Sequence, residues 1–416
     1  MSALAPLRRT PFRFLIAGRA VNAFGGTFGT VALAFAVLDL TGSATDLGLV
    51  VASRTICNVA FLLFGGVLAD RLPKHLLMVG SNLVAAASQI TAAGLVFSHT
   101  ATVPLLIVLA AANGTASALS MPASASVLPR LVPPEELQQA NAVNRMSQNF
   151  AQIVGAPLAG VVVAAVGSGW GLAADGISFA LSAASFALMR VPAGGATPAK
   201  ERPHLFADLR TGWGEFRSRT WLWVVVAGFC VYNAAWSGGL FVLGPAIADH
   251  TFGRRDWGFV LAAQTAGMIL GGLLAMRLRL RRMLFFGVAS CFFLAPPLFV
   301  LGAYPKVWLL VPLAALGGLM LEQFGVAWET SMQEHVPADK LARVYSYDMV
   351  GSFIAMPIGE VAIGPIAQAV GLETAEIGAG VLMTLAVLGM LSSRGVRTLR
   401  HKLTEPIVDP MEESVA

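Results

Sequence analysis

Charge is what this chain most lacks. Of its 416 residues only 12% are Asp, Glu, Lys or Arg, roughly half the ~25% of a soluble globular domain. Hydrophobic residues make up 56%, and the mean hydropathy is +0.71. Such a chain cannot cover a water-facing surface with polar groups, which excludes a soluble enzyme or signalling domain. An integral membrane protein of many spans is expected instead.

Other absences narrow the chemistry. Cys57, Cys230 and Cys291 lie inside apolar runs without CxxC spacing, so they read as small core residues rather than a disulfide framework. The six histidines stand singly, and no metal site or cofactor is expected. No glycine-rich loop followed by Lys-Ser/Thr occurs, which excludes ATP hydrolysis. The glycines of "FGGTFG" (Gly25, Gly26, Gly29) read as helix packing. No basic, aromatic-interleaved stretch sits on a polar domain, so the net charge of +5 points away from nucleic acid. A cytoplasmic excess of Lys and Arg explains it better.

Long apolar runs are what the chain has. Charge clusters and Gly/Pro turns divide it into twelve segments: 14–38, 46–69, 75–97, 103–126, 141–166, 170–190, 221–247, 257–276, 283–303, 307–331, 342–368 and 373–392. Each is near the ~20 residues a transmembrane helix needs. Only a helix satisfies its own backbone in lipid without alternating polarity. Arg8, Arg9 and Arg13 precede a first run too long for a signal peptide, so it is expected to stay as the first span. Even-to-odd connections and both tails carry most of the Lys and Arg, including Arg71, Lys74, Arg130, Arg281 and Lys340. The opposite connections carry Arg254, Arg255 and Lys306. Both termini are therefore expected in the cytoplasm.

The longest polar break, Val191 to Thr220, divides the spans six and six. Its latter part places Leu205, Leu209, Trp213 and Phe216 at helical spacing, as an amphipathic helix on the inner leaflet would. The expected organisation is an N-terminal bundle (1–190), a linker (191–220), a C-terminal bundle (221–392) and a tail (393–416). The halves repeat. Pro133 matches Pro337, Leu137 Leu341, Gly155 Gly359, Gly160 Gly364 and Gly167 Gly371, all at one offset (337 − 133 = 204). "GGVLADR" at Gly65 is echoed by "GGLLAMR" at Gly271. Two parallel six-helix halves mark one large group of transporters.

With these residues in view, the chain resembles the major facilitator superfamily. "GGVLADRLPKH" is similar to that family's signature loop between spans 2 and 3, with Pro73 where Gly is usual and His75 for a basic residue. "LTGSATDLGLVVASR", "MPASASVLPRLVPPEELQQANAV" and "IVGAPLAGVVVAAVG" resemble the drug:proton antiporter-3 branch, which includes macrolide and enterobactin exporters. "GAPLAG" (Gly155, Pro157, Gly160) resembles the core of the antiporter motif of span 5. The resemblance implies the major facilitator fold, all-α with twelve transmembrane helices in two pseudo-symmetric bundles. It further implies spans 1, 4, 7 and 10 around a central cavity, and a cytoplasmic latch of Gly66, Asp70, Arg71 and Lys74. In that latch Asp70 meets the start of span 11.

Ionisable groups at membrane depth are costly and become site candidates. Arg54 lies near the middle of span 2. Glu322 lies near mid-membrane in span 10, where an unpaired carboxylate suits reversible protonation. Glu360 in span 11 aligns with Ala156 through the repeat, and Asp348 lies nearer the cytoplasmic end. These four are the proton-coupling candidates. Snorkelling or pairing accounts for Arg19 and Arg145, and Asp175 reads as capping or pairing near the outer surface. Asn22, Asn58, Asn113, Gln152, Asn233, Trp236 and Gln323 are the cavity candidates. Together they describe an apolar chamber with a few hydrogen-bonding points.

The expectation is a monomeric secondary transporter of the bacterial inner membrane. It would exchange protons for a hydrophobic or amphiphilic small molecule, with the lipid bilayer as its other partner. An importer on the same fold is the alternative, and a sensor or membrane enzyme a remote one.

Overall fold

A computed structural model describes residues 5–71, 73–133, 136–189, 213–275, 277–278 and 280–401, with the backbone alone for 5, 62–71, 122, 125–126, 138, 338–339, 342–343 and 346. Every regular element among the described residues is helical. The long helices are α1 (Thr10–Thr41), α2 (Ala44–Arg71), α3 (Lys74–Phe97), α4 (Val103–Leu131), α5 (Leu137–Val166) and α6 (Ser168–Leu188). Then follow α7 (Thr220–His250), α8 (Arg254–Ala275), α9 (Met283–Ala303), α10 (Val307–His335), α11 (Ala338–Phe353 and Met356–Val370) and α12 (Leu372–Ser392). A short α13 (Arg394–Thr398) ends the described chain. Eleven stretches of the described residues are long and apolar enough to cross a membrane, so the protein is a multi-pass membrane protein.

Three helices depart from the uninterrupted spans expected. α7 passes through a π-helical turn at Gly238–Leu243, where the Gly244 N–H bonds to the Gly239 carbonyl. Pro245 follows; it has no N–H and its ring crowds the carbonyl four residues back, so the ladder there takes a longer step. α9 tightens to a 3₁₀ turn at Cys291–Leu294, just ahead of Pro296 and Pro297. α11 breaks at residues 354–355, before Pro357.

Packing repeats with the sequence. In the first half α1 packs on α6, α2 on α4 and α3 on α6; in the second α7 packs on α12, α8 on α10 and α9 on α12. Gly167 and Gly371 close α5 and α11 identically. Both take positive φ (97° and 92°), and their N–H groups bond to Val163 and Ala367, residues at the same offset of 204. The halves meet along two symmetry-related seams, α2 with α11 and α5 with α8.

Among the described residues the seams close one end of the molecule, where the connections carry little positive charge. One continuous apolar core there takes in Phe35 and Leu47 from the first half and Val242, Trp257 and Ile363 from the second. At the other, basic end each half keeps its own core, around Phe12 and Leu128 in one and around Trp221 and Met332 in the other. At the closed end the Arg254 guanidinium pairs with Asp39 of the other half and with Asp249 at 2.7 Å, and lies 4.7 Å over the Phe35 ring. Gln368 of α11 donates to Thr45 of α2 at 2.9 Å.

Of the linker, residues 190–212 lie outside the described residues, including Leu205 and Leu209. Residues 213–218 are helical, but their apolar side docks on protein. Phe216 is buried, and Trp213 and Phe216 pack on Tyr347 of α11. Glu215 is held below the ordinary carboxylate range by hydrogen bonds from Lys340 and Arg219. This contact is complete at neutral pH and is lost as pH falls through that lowered value.

The closed end requires glycine at both seams. A Cβ at Gly160 would lie 2.8 Å from the Arg254 carbonyl oxygen, and one at Gly364 2.7 Å from the Thr45 nitrogen. Gly160→Leu should therefore penalise the closed end by about 1–3 kcal/mol without preventing insertion. With the native cysteines replaced by serine, a cysteine at Ala34 should react faster with an impermeant maleimide added from that side. Unchanged reactivity would show that the approach does not control closure.

Candidate functional site

Beneath the closed end lies a cavity of about 610 Å³, between the halves. Its walls are mostly apolar: Val51, Met121, Phe241, Trp257, Phe353 and Met356 among them. Arg54, Thr55, Asn58 and Glu360 are its main polar points. A second cavity of about 790 Å³ shares Arg54, Asn58 and Met121 with the first and runs through the N-terminal half. It is more polar than the first and reaches Arg19, Asn141 and Arg145 at the basic end, where Asn141 and Arg145 are exposed. The pathway thus leads from the basic end to Arg54 and stops below the shared core.

Glu360 is the polar centre of the upper chamber. It is 1% exposed and stands on the α2–α11 seam. Its Oε1 accepts from Ser237 Oγ of α7 and from Thr55 Oγ1 of α2 at 3.1 Å, so one carboxyl oxygen bridges both halves. Its Oε2 has no protein partner. The charge of Arg54 acts on Glu360 and also on Asp175. A buried ion here is costly unless nearby charge and hydrogen bonds compensate it.

The remaining candidates separate into groups. Asn22 bonds to Asn82 at 3.1 Å and lines the polar cavity, as do Asn58 and Gln152. Asn113 is 2% exposed, lacks a partner on either amide atom, and lines a small chamber with Arg54 and Gln89. Asn233 donates to the Ser352 carbonyl at 2.9 Å and Gln323 to the Gly271 carbonyl at 2.6 Å, both tying helices within the C-terminal half. Asp348 accepts from Trp328 at 2.9 Å and Ser352 at 3.1 Å. Glu322 is paired across the halves with Arg145 at 3.5 Å and lies outside both cavity linings. Trp236 faces a separate chamber inside the C-terminal half. In the antiporter-like motif, Gly155 packs on Phe24 and Thr27 of α1, Pro157 sits within α5, and Gly160 meets the start of α8. In the latch, Gly66, Asp70 and Arg71 are described by backbone alone, and Lys74 opens α3.

Sequence reasoning missed three groups. Thr55 and Ser237 are unremarkable hydroxyls until the halves are assembled. Asp175, read from the sequence as capping or pairing, is 2% exposed, and Gln89 donates to it at 2.5 Å. Glu376 escaped notice near the start of span 12. It lies on the same buried helical stripe as Ala379, Met383, Val387 and Met390, a signal readable from spacing.

Residues 15–360 match the model of the Major Facilitator Superfamily. The chain belongs to this superfamily. It is a transporter by family and fold. Macrolide efflux protein A of Streptococcus pyogenes is 23% identical over 372 residues, covering 87% of this chain and 90% of that protein. Multidrug efflux pump Tap of Mycolicibacterium fortuitum is 24% identical over 390 residues, covering 91% and 94%. Among solved structures, a bacterial homolog of the human lysosomal transporter Spinster, inward-facing and unoccupied, superposes with a TM-score of 0.73. It shares 14% identity and is matched over 93% of this chain and 96% of that one. A bacterial homologue of the iron transporter ferroportin, inward-facing, gives a TM-score of 0.69 at 16% identity, over 92% and 99%.

The Thr55–Glu360 contact is testable alone. Thr55→Val keeps the side-chain shape and removes the donor. A double-mutant cycle with Glu360→Gln, read by thermal unfolding of the purified transporter, should give a coupling of about 1 kcal/mol. Additive effects would show that the two groups do not interact.

Proposed function

We propose that this transporter is an inner-membrane exporter that exchanges protons for a hydrophobic or amphiphilic drug-like molecule. The observation that carries the reading is Glu360, which joins the two halves through one oxygen and turns the other, unpartnered, within the wall of an apolar cavity. A volume of about 610 Å³ falls in the range of small-molecule sites, ~300–1,000 Å³. The efflux proteins among the relatives support the direction and the class of cargo.

The coupling follows from desolvation. Reorganising the α2–α11 seam moves Glu360 through apolar surroundings, which is unfavourable for an uncompensated ion. A proton relieves this, and so does a cargo group that donates to Oε2. Either one permits the change between states. Arg54 opposite keeps the ionised form tolerable while the cavity is open to water from the basic, cytoplasmic end. Asp70, with Arg71 and Lys74, would latch that end against the start of α11 once it closes, where a carboxylate suits a helix N-terminus. No partner protein is needed for this cycle, and the unit is a monomer.

Proteoliposomes driven by an imposed proton gradient test the reading, with radiolabelled erythromycin as the probe. Gradient-driven transport should be seen in the wild type and fall to leak in Glu360→Gln, while erythromycin exchange without a gradient continues. Gradient-driven transport by the variant at the wild-type rate would remove Glu360 from the coupling.

A further inference from the structure

Each half encloses a small chamber, and the two are related by the internal repeat. In the N-terminal half it is lined by Arg54, Gln89, Leu106, Ala110 and Asn113; in the C-terminal half by Gln264, Leu298, Leu310, Ala314 and Gly317. Leu106, Ala110 and Asn113 stand 204 residues before Leu310, Ala314 and Gly317 (310 − 106 = 204). Gly114 packs on the Arg54 carbonyl as Gly318, at the same offset, packs on that of Gln264. Arg54 and Gln264 therefore occupy equivalent places.

Each half also buries a carboxylate on its sixth helix, against a glycine of its first. Asp175 lies over Gly29, and Glu376 lies 3.3 Å from where a Cβ of Gly239 would be. Their surroundings differ. Asp175 has the Gln89 amide and the charge of Arg54. Glu376 is 0% exposed, and neither of its oxygens has a protein partner. In its chamber α8 offers Gln264 for arginine, α9 offers Pro297 and Leu298, and α10 offers Gly317 for asparagine. No other charged group lines this chamber among the described residues. Glu360 of α11 belongs to the central cavity, and Glu373, one turn earlier on α12, is exposed.

We propose that Glu376 and its chamber form a second proton-binding site, in which the carboxyl group carries the proton and water is its exchange partner. A carboxylate without cation or donor is costly at this depth, whereas a carboxylic acid is tolerated. The chamber measures about 30 Å³, above the ~10–15 Å³ that admits a water molecule. It also touches the transport pathway, because Leu240 and Trp257 line both it and the central cavity. Leu240 and Gly239 belong to the π-helical turn of α7. Cargo that presses on Leu240 thus acts on the helix segment that covers Glu376, and so on whether water reaches it.

Infrared spectroscopy of the full-length protein in lipid tests the site without any cargo, so a failure of erythromycin transport leaves the test intact. The carbonyl-stretch region of protonated carboxylic acids should contain a component that Glu376→Gln removes and Glu360→Gln leaves in place. That component should shift on exchange into D2O and disappear with rising pH between about pH 5 and about pH 10. Leu298→Gln supplies the amide that Gln89 gives Asp175, and should lower the pH of disappearance by about one unit. A spectrum unchanged by Glu376→Gln, or a component that persists unshifted across the range, would overturn the proposal. If Glu376→Gln does not fold, the Leu298→Gln comparison decides: a lowered pH supports the site, and an unchanged one rejects it.

Discussion

Along the two seams backbone meets backbone, and much of the architecture follows from that closeness. A Cβ on Gly48 of α2 would run into the Glu360 carbonyl of α11, and one on Gly258 of α8 into that of Ala156 on α5. The repeat makes these the same contact made twice. Helices this close leave no room for side chains between them, so at the closed end the halves bury one another's apolar surface as a single core. Among the described residues no comparable core joins the halves at the basic end, and the space left there becomes the pathway. Closure at one end and a cavity below it are therefore consequences of where small residues fall. With no hydrophobic drive between helices in lipid, close packing of this kind and the polar contacts across the seams hold the halves together.

The seam also explains where the ionisable groups sit. Glu360 occupies the position that the other seam fills with Ala156, so its carboxyl group lies where α2 of the other half can reach it. Thr55 and Ser237 supply donors from the two sides, and Arg54 supplies charge without a fixed pair. A group so placed belongs to neither half alone, and any motion that parts the halves must account for its charge. By contrast Asp348, Asn233 and Gln323 satisfy their polar atoms inside one half and move with it.

Much of the fold was legible in the sequence because the bilayer imposes a length and a polarity on each span, and because the repeat is ungapped from Pro133 to Gly167. The matched glycines proved to be matched in conformation and contact. The interruptions of α7, α9 and α11 were less legible, although prolines mark all three, since a proline inside an apolar run does not state whether the helix bends, tightens or steps. The site was legible only in part. Arg54 and Glu360 announce themselves as charges at depth, but nothing local to Thr55 or Ser237 reveals that they meet across 305 and 123 residues at one oxygen. Glu322 shows that depth in a span does not reveal a partner, since Arg145 of the other half stands beside it.

Symmetry sharpens what is particular to this chain. A duplicated bundle would place equivalent residues in equivalent surroundings, so the places where the halves disagree mark what is particular to each half. Three such disagreements cluster around the pathway. Glu360 replaces an alanine, Arg54 replaces a glutamine, and the buried carboxylate of one half has an amide donor that the other lacks. Each changes how a charge is compensated rather than how a helix packs, and each lies within or beside the central cavity. The scaffold is therefore nearly symmetric while its electrostatics are not. That division suits an alternating mechanism, because the two seams can exchange roles mechanically only if their helices match. In the proton-coupled cycle proposed for this chain, Glu360 would be the charge that one seam carries and the other does not.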